Sequence, residues 1–163
     1  MTFSNNALTK TVHVVTEVYP STILVNHSSS TYTFTGNGSI GGSAELVKQN
    51  EGTLTMNGEN SYTGGTHLMG GVTKVKKLAN QYSATGNLGG VTTKATFFTI
   101  EDGATLMTTA AVEQGSPMQM NGEEGGIINN SADFIVSMAI SGTMLTKKGT
   151  GWMKLGVNNT ALN

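Results

Sequence analysis

Acids, histidines and a lysine cluster are the side chains in this 163-residue sequence that could do chemistry. The acids form two adjacent pairs, Glu101-Asp102 and Glu123-Glu124. Two carboxylates flanking a glycosidic bond would serve polysaccharide hydrolysis. Neighbours on a strand point to opposite faces, so adjacency alone builds no dyad. Both pairs sit beside glycine (Gly103, Gly122, Gly125), the pattern of solvated turn acids. A uronate lyase would need a base and carboxylates gathered around Ca²⁺. The chain has no Arg and only two Asp, Asp102 and Asp133. His13, His27 and His67 lie far apart, without the spacing of a metal site. His13 reads as an outward or edge residue of a Val-rich strand, and His27, beside Ser28–Ser30, as a loop residue. There is no Gly-x-Ser-x-Gly elbow. Gly36-Asn37-Gly38-Ser39-Ile40-Gly41 echoes a phosphate loop, but no helix follows, so it reads as a corner. The sequence therefore assigns no catalytic residue, no metal ligand and no cofactor.

Binding has more material. Lys74, Lys76 and Lys77 form one positive cluster. They could meet an acidic glycan or an acidic neighbour domain, or simply protect an exposed strand from edge pairing. Tyr82 and Tyr62 could stack on sugar rings if exposed. The stretch Leu78 to Gly90 reads as a loop projecting from the framework, where binding tends to reside. The candidate glycan contacts are thus Tyr82, Tyr62, Lys74, Lys76 and Lys77.

The elements that would position these residues are strands. Thr11–Val15, Thr22–Val25, Tyr32–Thr35, Thr53–Met56, Val72–Val75, Ala95–Ile100, Ala104–Met107, Gly126–Ile128 and Phe134–Val136 are short and β-branched or aromatic. Helical periodicity is absent; the best candidate, Thr108–Gln114, runs barely two turns. Asn-Gly, Asp-Gly and Gly-Gly pairs punctuate the chain. Composition fits: 22 Gly, 25 Thr and 15 Asn against 2 Pro and 12% charged residues. All nine basic residues are Lys and the net charge is −1, a poor balance for gripping nucleic acid. No apolar run is long enough to span a bilayer as a helix. The lack of Cys excludes disulfide frameworks and thiolate metal sites.

Leu46-Val47-Lys48-Gln49-Asn50-Glu51-Gly52-Thr53-Leu54-Thr55-Met56 recurs 99 residues later as Leu145-Thr146-Lys147-Lys148-Gly149-Thr150-Gly151-Trp152-Met153-Lys154-Leu155. Both describe a strand, a tight corner and a second strand with alternate residues inward. Further along, Asn60 would meet Asn159, and Ser61 would meet Thr160. The nine Met and Trp152 read as fillers of core stacks. Trp152, standing where the first copy has Thr53, could instead lie on the outer face.

Residues 46–66, ending Asn60-Ser61-Tyr62-Thr63-Gly64-Gly65-Thr66, resemble the autotransporter-associated β-strand repeat (passenger-associated transport repeat). That pattern runs Leu-x-Lys-x-Gly-x-Gly-x-Leu-x-Leu-x-Gly-x-Asn-x-Tyr-x-Gly-x-Thr. This sequence departs from it at Asn50 and carries Met56 for Leu; residues 146–160 look like a degenerate second copy. The resemblance implies an all-β, right-handed parallel β-helix, a pectin-lyase-like solenoid. We expect about seven coils of roughly 20–25 residues. It also implies a secreted or surface-displayed bacterial protein, with residues 1–163 a single β-helix domain cut from a larger chain. The expected role is a non-catalytic structural, adhesion or display module. The alternatives are a carbohydrate-binding module and, behind that, a polysaccharide lyase or hydrolase. Expected partners are adjacent domains of the same polypeptide and a surface or dietary polysaccharide, with no nucleic acid and no membrane span.

Overall fold

The computed structural model describes residues 1–94, 96–156 and 161–162. The chain winds as a parallel β-solenoid of about seven turns, built on three faces. The first face holds eight strands: Thr2–Ser4, Thr22–Asn26, Glu45–Gln49, Gly65–Leu68, Phe98–Glu101, Met118–Asn121, Ile140–Gly142 and Ala161–Leu162. The second holds seven: Thr11–His13, Thr31–Thr35, Thr53–Met56, Val72–Val75, Thr105–Thr108, Gly126–Asn130 and Leu145–Lys148. The third face is a regular sheet only late in the chain, at Val112–Gln114, Phe134–Val136 and Met153–Leu155. No helix occurs among the described residues.

Alternation along each strand builds the core. Thr22–Asn26 and Glu45–Gln49 each bury their second and fourth residues. Stacked over successive turns, these positions form continuous columns. Ile23, Leu46, Thr66, Phe98, Met118 and Ile140 make one column on the first face, all buried. Tyr32, Leu54, Thr73, Leu106 and Ile128 make one on the second. No single turn can enclose such a residue, so stacking supplies the core. Truncating one member, as in Leu46→Ala, removes contacts to two neighbouring turns and costs about 2–5 kcal/mol.

The register shows where the pattern breaks. Thr2, Leu24, Val47, His67, Thr99, Gln119, Ser141 and Ala161 form one row across the first face. The steps are 22, 23, 20, 32, 20, 22 and 20 residues. One turn, between His67 and Thr99, is therefore oversized. The flanking strands still pair in parallel, so the surplus is carried outside the ladder.

One feature of the repeat emerges only in the structure, and one sequence expectation needs correcting. The repeat copies do not lie above one another. Leu46–Met56 runs from the first face to the second, whereas Leu145–Leu155 runs from the second face to the third. A three-sided coil has several similar corners, and the motif fits more than one. The proposed matches at Asn159 and Thr160 lie outside the described residues. Nor do the methionines and Trp152 all fill core columns: Met56, Met118 and Met120 are buried, but Met1, Met69, Met144 and Trp152 are exposed.

Candidate functional site

The repeat segment gathers the most unusual polar side chains. Lys48 occupies an inward column position, between Val25 and Leu68, and is fully buried. Its Nζ turns toward the corner and donates to the carbonyls of Gln49 (2.9 Å), Asn50 (2.6 Å) and Gly70 (3.3 Å). Two of these carbonyls belong to its own turn and one to the next. Burial pushes the ammonium pKa down to about 8, and Glu51 opposes the shift. Asn60 acts similarly at the next corner. Its Oδ1 accepts from Ile40 N (2.9 Å), and its Nδ2 donates to Asn87 O (2.8 Å) and Gly58 O (3.3 Å). Tyr62 is buried, and its hydroxyl bonds Thr66 Oγ1 at 2.8 Å. Thr66 in turn donates to Leu88 O at 3.3 Å.

Each of these motif residues thus serves backbone or core groups that a corner would otherwise orphan. This removes Tyr62 from the candidate glycan contacts: its ring is enclosed at 0% exposure and offers no face to a sugar.

The oversized turn is a clasp more than a free loop. Leu78, Ala79, Asn87 and Leu88 are buried. Thr85–Gly86 and Gly89–Gly90 pair antiparallel, and Gly86 also bridges Asn60. Asn87 Oδ1 accepts from the backbone N–H groups of Lys76 and Lys77, both at 2.8 Å. Gly115 N donates to Ala79 O at 2.9 Å, which ties the insertion to the following turn. The expected projecting loop shrinks to its tip. There Asn80 Oδ1 accepts from Tyr82 N (2.9 Å) and Ser83 N (2.8 Å), and Tyr82 is 84% exposed.

The lysine cluster divides. Lys77 pairs with Glu59 at 2.7 Å, and Glu59 also accepts from Thr85 at 2.8 Å. The bond from Lys77 holds the Glu59 carboxyl below its ordinary pKa. Lys74 and Lys76 instead line a cavity of about 250 Å³ with Thr55, Asn57, Val75 and Thr109.

The histidines have separate surroundings. His13 is exposed on the edge strand of the second face. His27 follows a strand, as a loop residue, yet is fully buried; its Nδ1 lies 3.0 Å from Ser29 O. Burial, more than the nearby cations Lys48 and Lys10, pushes its pKa down, while the Ser29 carbonyl opposes this. His67 bridges Glu45 Oε1 (2.9 Å from Nε2) and Thr99 Oγ1 (2.8 Å from Nδ1). A carboxylate, an imidazole and a hydroxyl in line have the outline of a nucleophilic triad. Thr99 is only 4% exposed, however, so its hydroxyl is closed to a substrate. The line works as a cross-strand clasp over the oversized turn. No sequence spacing reveals it, because 32 residues separate His67 from Thr99.

The acidic pairs meet at stacked corners: Asp102 lies against Gly122, and Glu124 against Gly103. Asp102, Glu123 and Glu124 are exposed, and Asp102 takes a positive φ of 48°. They are turn acids in solvent. Among the described residues, no group of three or more His, Asp or Glu comes together to hold a metal. No described helix is long and apolar enough to cross a membrane.

Comparison with known proteins bears on the same segment. Residues 46–75 match the model of the passenger-associated-transport-repeat family. The chain is 34% identical over 125 residues to the adhesin BmaC autotransporter of Brucella suis biovar 1 (strain 1330). That alignment takes in 76% of this chain but only 3% of the relative's length. No solved structure matches the chain. The buried lysine, asparagine, tyrosine and threonine of residues 48–66 are thus the structural core of the matched segment, and residues 46–75 carry a repeat of the passenger-associated-transport family.

Proposed function

We propose that this chain is a non-catalytic structural and adhesion module of a surface-displayed bacterial passenger. In this reading it is a rigid length of solenoid, continuous with other domains of one long polypeptide, outside the cell. The observation that carries the reading is the use of the motif's polar side chains. Lys48, Asn60, Tyr62 and Thr66 are consumed by backbone and core partners. The likeness to part of an autotransporter adhesin supports the same role. The test is to incubate the purified chain with pectin, alginate, xylan and hyaluronan and to follow new reducing ends and unsaturated uronate. No turnover is expected; turnover of any of them, lost in Asp102→Asn or Glu124→Gln, overturns the reading.

A second reading, contact with a polysaccharide, draws on the cavity beside Lys74 and Lys76 and on the exposed Tyr82. Two ammonium groups with no partner among the described residues, set among hydroxyl and amide side chains, suit an acidic glycan. Lys74→Gln with Lys76→Gln should then weaken retention on immobilised acidic polysaccharide, and Tyr82→Ala should weaken it further. Unchanged retention in both variants removes this reading.

A further inference from the structure

The largest exposed aromatic side chain lies away from both regions. Trp152 is 82% exposed, although its backbone is firmly held. Its carbonyl accepts from Phe134 N (2.8 Å) and Asn130 Nδ2 (2.9 Å). Phe134 pairs with Met153, Ile135 with Lys154, and Val136 with Leu155. Alternation points Phe134 and Val136 into the core and turns Ile135 and Lys154 outward. Asp133 and Trp152 each precede the Phe134–Met153 pair, so they sit side by side. The four side chains form a two-by-two outer patch. With Phe134 they line a cavity of about 220 Å³.

We propose that this patch is a subsite for one pyranose ring of a glycan. A pyranose offers a face of C–H groups and a rim of hydroxyls. The indole supplies a flat apolar face for the first. Asp133 and Lys154 flank it for the second, an acceptor and a donor of hydroxyl hydrogen bonds. Neither charged group has a hydrogen-bond or ion-pair partner among the described residues. The cavity lies below the size of a drug-sized pocket and suits a single ring. A new strand beside Met153–Leu155 pairs with its edge and covers inward residues such as Leu155, whereas Trp152 points out of the sheet. The proposal goes beyond the scaffold reading, which stands whether or not a sugar binds here.

Trp152 is the sole tryptophan, so its fluorescence reports on this patch alone. The intact 163-residue chain would be titrated with methyl β-glucopyranoside, methyl β-galactopyranoside, methyl α-mannopyranoside and N-acetylglucosamine. A saturable change at millimolar concentration is expected with at least one of them. Asp133→Asn should weaken that binding at least tenfold while leaving the melting temperature unchanged. Saturation-transfer NMR should show the same sugar lost from Trp152→Ala and retained by Tyr82→Ala. The proposal fails if no sugar gives a saturable response, or if Asp133→Asn and Trp152→Ala bind as the parent does. It also fails if the indole becomes shielded on raising protein concentration alone, which would make a second copy the occupant.

Discussion

The corner at residues 48–52 and the corner at residues 147–151 use the same three positions and end in different states. In the first, Lys48 caps carbonyls, Asn50 has φ of 60°, and Gly52 N donates to His27 O below it at 2.9 Å. In the second, Lys147 Nζ donates to Gly149 O at 2.7 Å and Gly149 has φ of 80°. Gly151 N there donates to Asn130 O at 3.0 Å. His27 and Asn130 are counterparts too, each binding the carbonyl two residues ahead. Yet Lys48 is buried and Lys147 exposed. Gly70 O, from the turn above, reaches Lys48. The repeat thus encodes a corner, and the neighbouring turn decides how deeply that corner is buried. The comparison also explains the departure at Asn50. The family's glycine position needs a left-handed residue, and asparagine is among the few others that tolerate it.

The largest expected effect is at the second glycine. A Cβ on Gly52 would stand 2.1 Å from His27 Nδ1 and 2.7 Å from its carbonyl oxygen. Gly52→Ala must move a buried ring and should cost about 3 kcal/mol in urea unfolding. Gly151→Ala meets Ala132 O at 2.1 Å, in a corner where Lys147, Lys148 and Trp152 are all exposed. Its cost should be smaller, because no buried ring has to move there. Equal costs would break the comparison.

The lysines come next. Lys48→Met leaves the carbonyls of Gln49, Asn50 and Gly70 without their donor and should cost about 2 kcal/mol. Lys147→Met should stay within about 0.5 kcal/mol. The pH dependence sharpens the contrast. With a folded-state pKa of about 8 against an ordinary 10.5, Lys48 binds fewer protons folded than unfolded between those values. Stability should therefore gain a rising contribution from Lys48 as pH climbs from about 8 to about 10.5, and Lys48→Met should lack that contribution. A parent and variant with parallel profiles would contradict the assignment.

Within the first corner, the smallest effect is at the left-handed position. Asn50→Ala should cost about 1 kcal/mol. Asn50→Gly should be nearly neutral, since relief of backbone strain offsets the added chain entropy and the lost bond to Asn26. A large loss in Asn50→Gly would mean that the Asn26 contact, and not the backbone conformation, selects asparagine.

The sequence made the coil legible because its signals are local. Strand alternation in Thr22–Asn26 and Glu45–Gln49, glycine at corners and scarce proline all act within a few residues. What it concealed depends on register between turns. Tyr62 reads as an exposed platform until Thr66 and Leu88 close over it. The Glu45–His67–Thr99 clasp exists only because a 32-residue turn rejoins the ladder in step. The 99-residue offset does not say which corner each copy occupies, and it advances the motif by one corner. Trp152 reads first as a core filler, with the outer face only as the alternative, and its companions Asp133 and Lys154 are not legible at all, because strand pairing, not chain proximity, places Asp133 beside the indole.

The central claim is a parallel stack kept in register through the oversized turn. Its most direct test uses the absence of cysteine. Thr11, Thr33, Thr55, Lys74, Met107, Asn129 and Lys148 form one row across the second face. Spin labels at Thr11→Cys and Lys148→Cys, compared by pulsed dipolar spectroscopy, span the whole row. Six strand spacings predict one narrow population with backbones about 29 Å apart. A broad distribution, or a mean outside about 25–35 Å, would contradict the stacked coil.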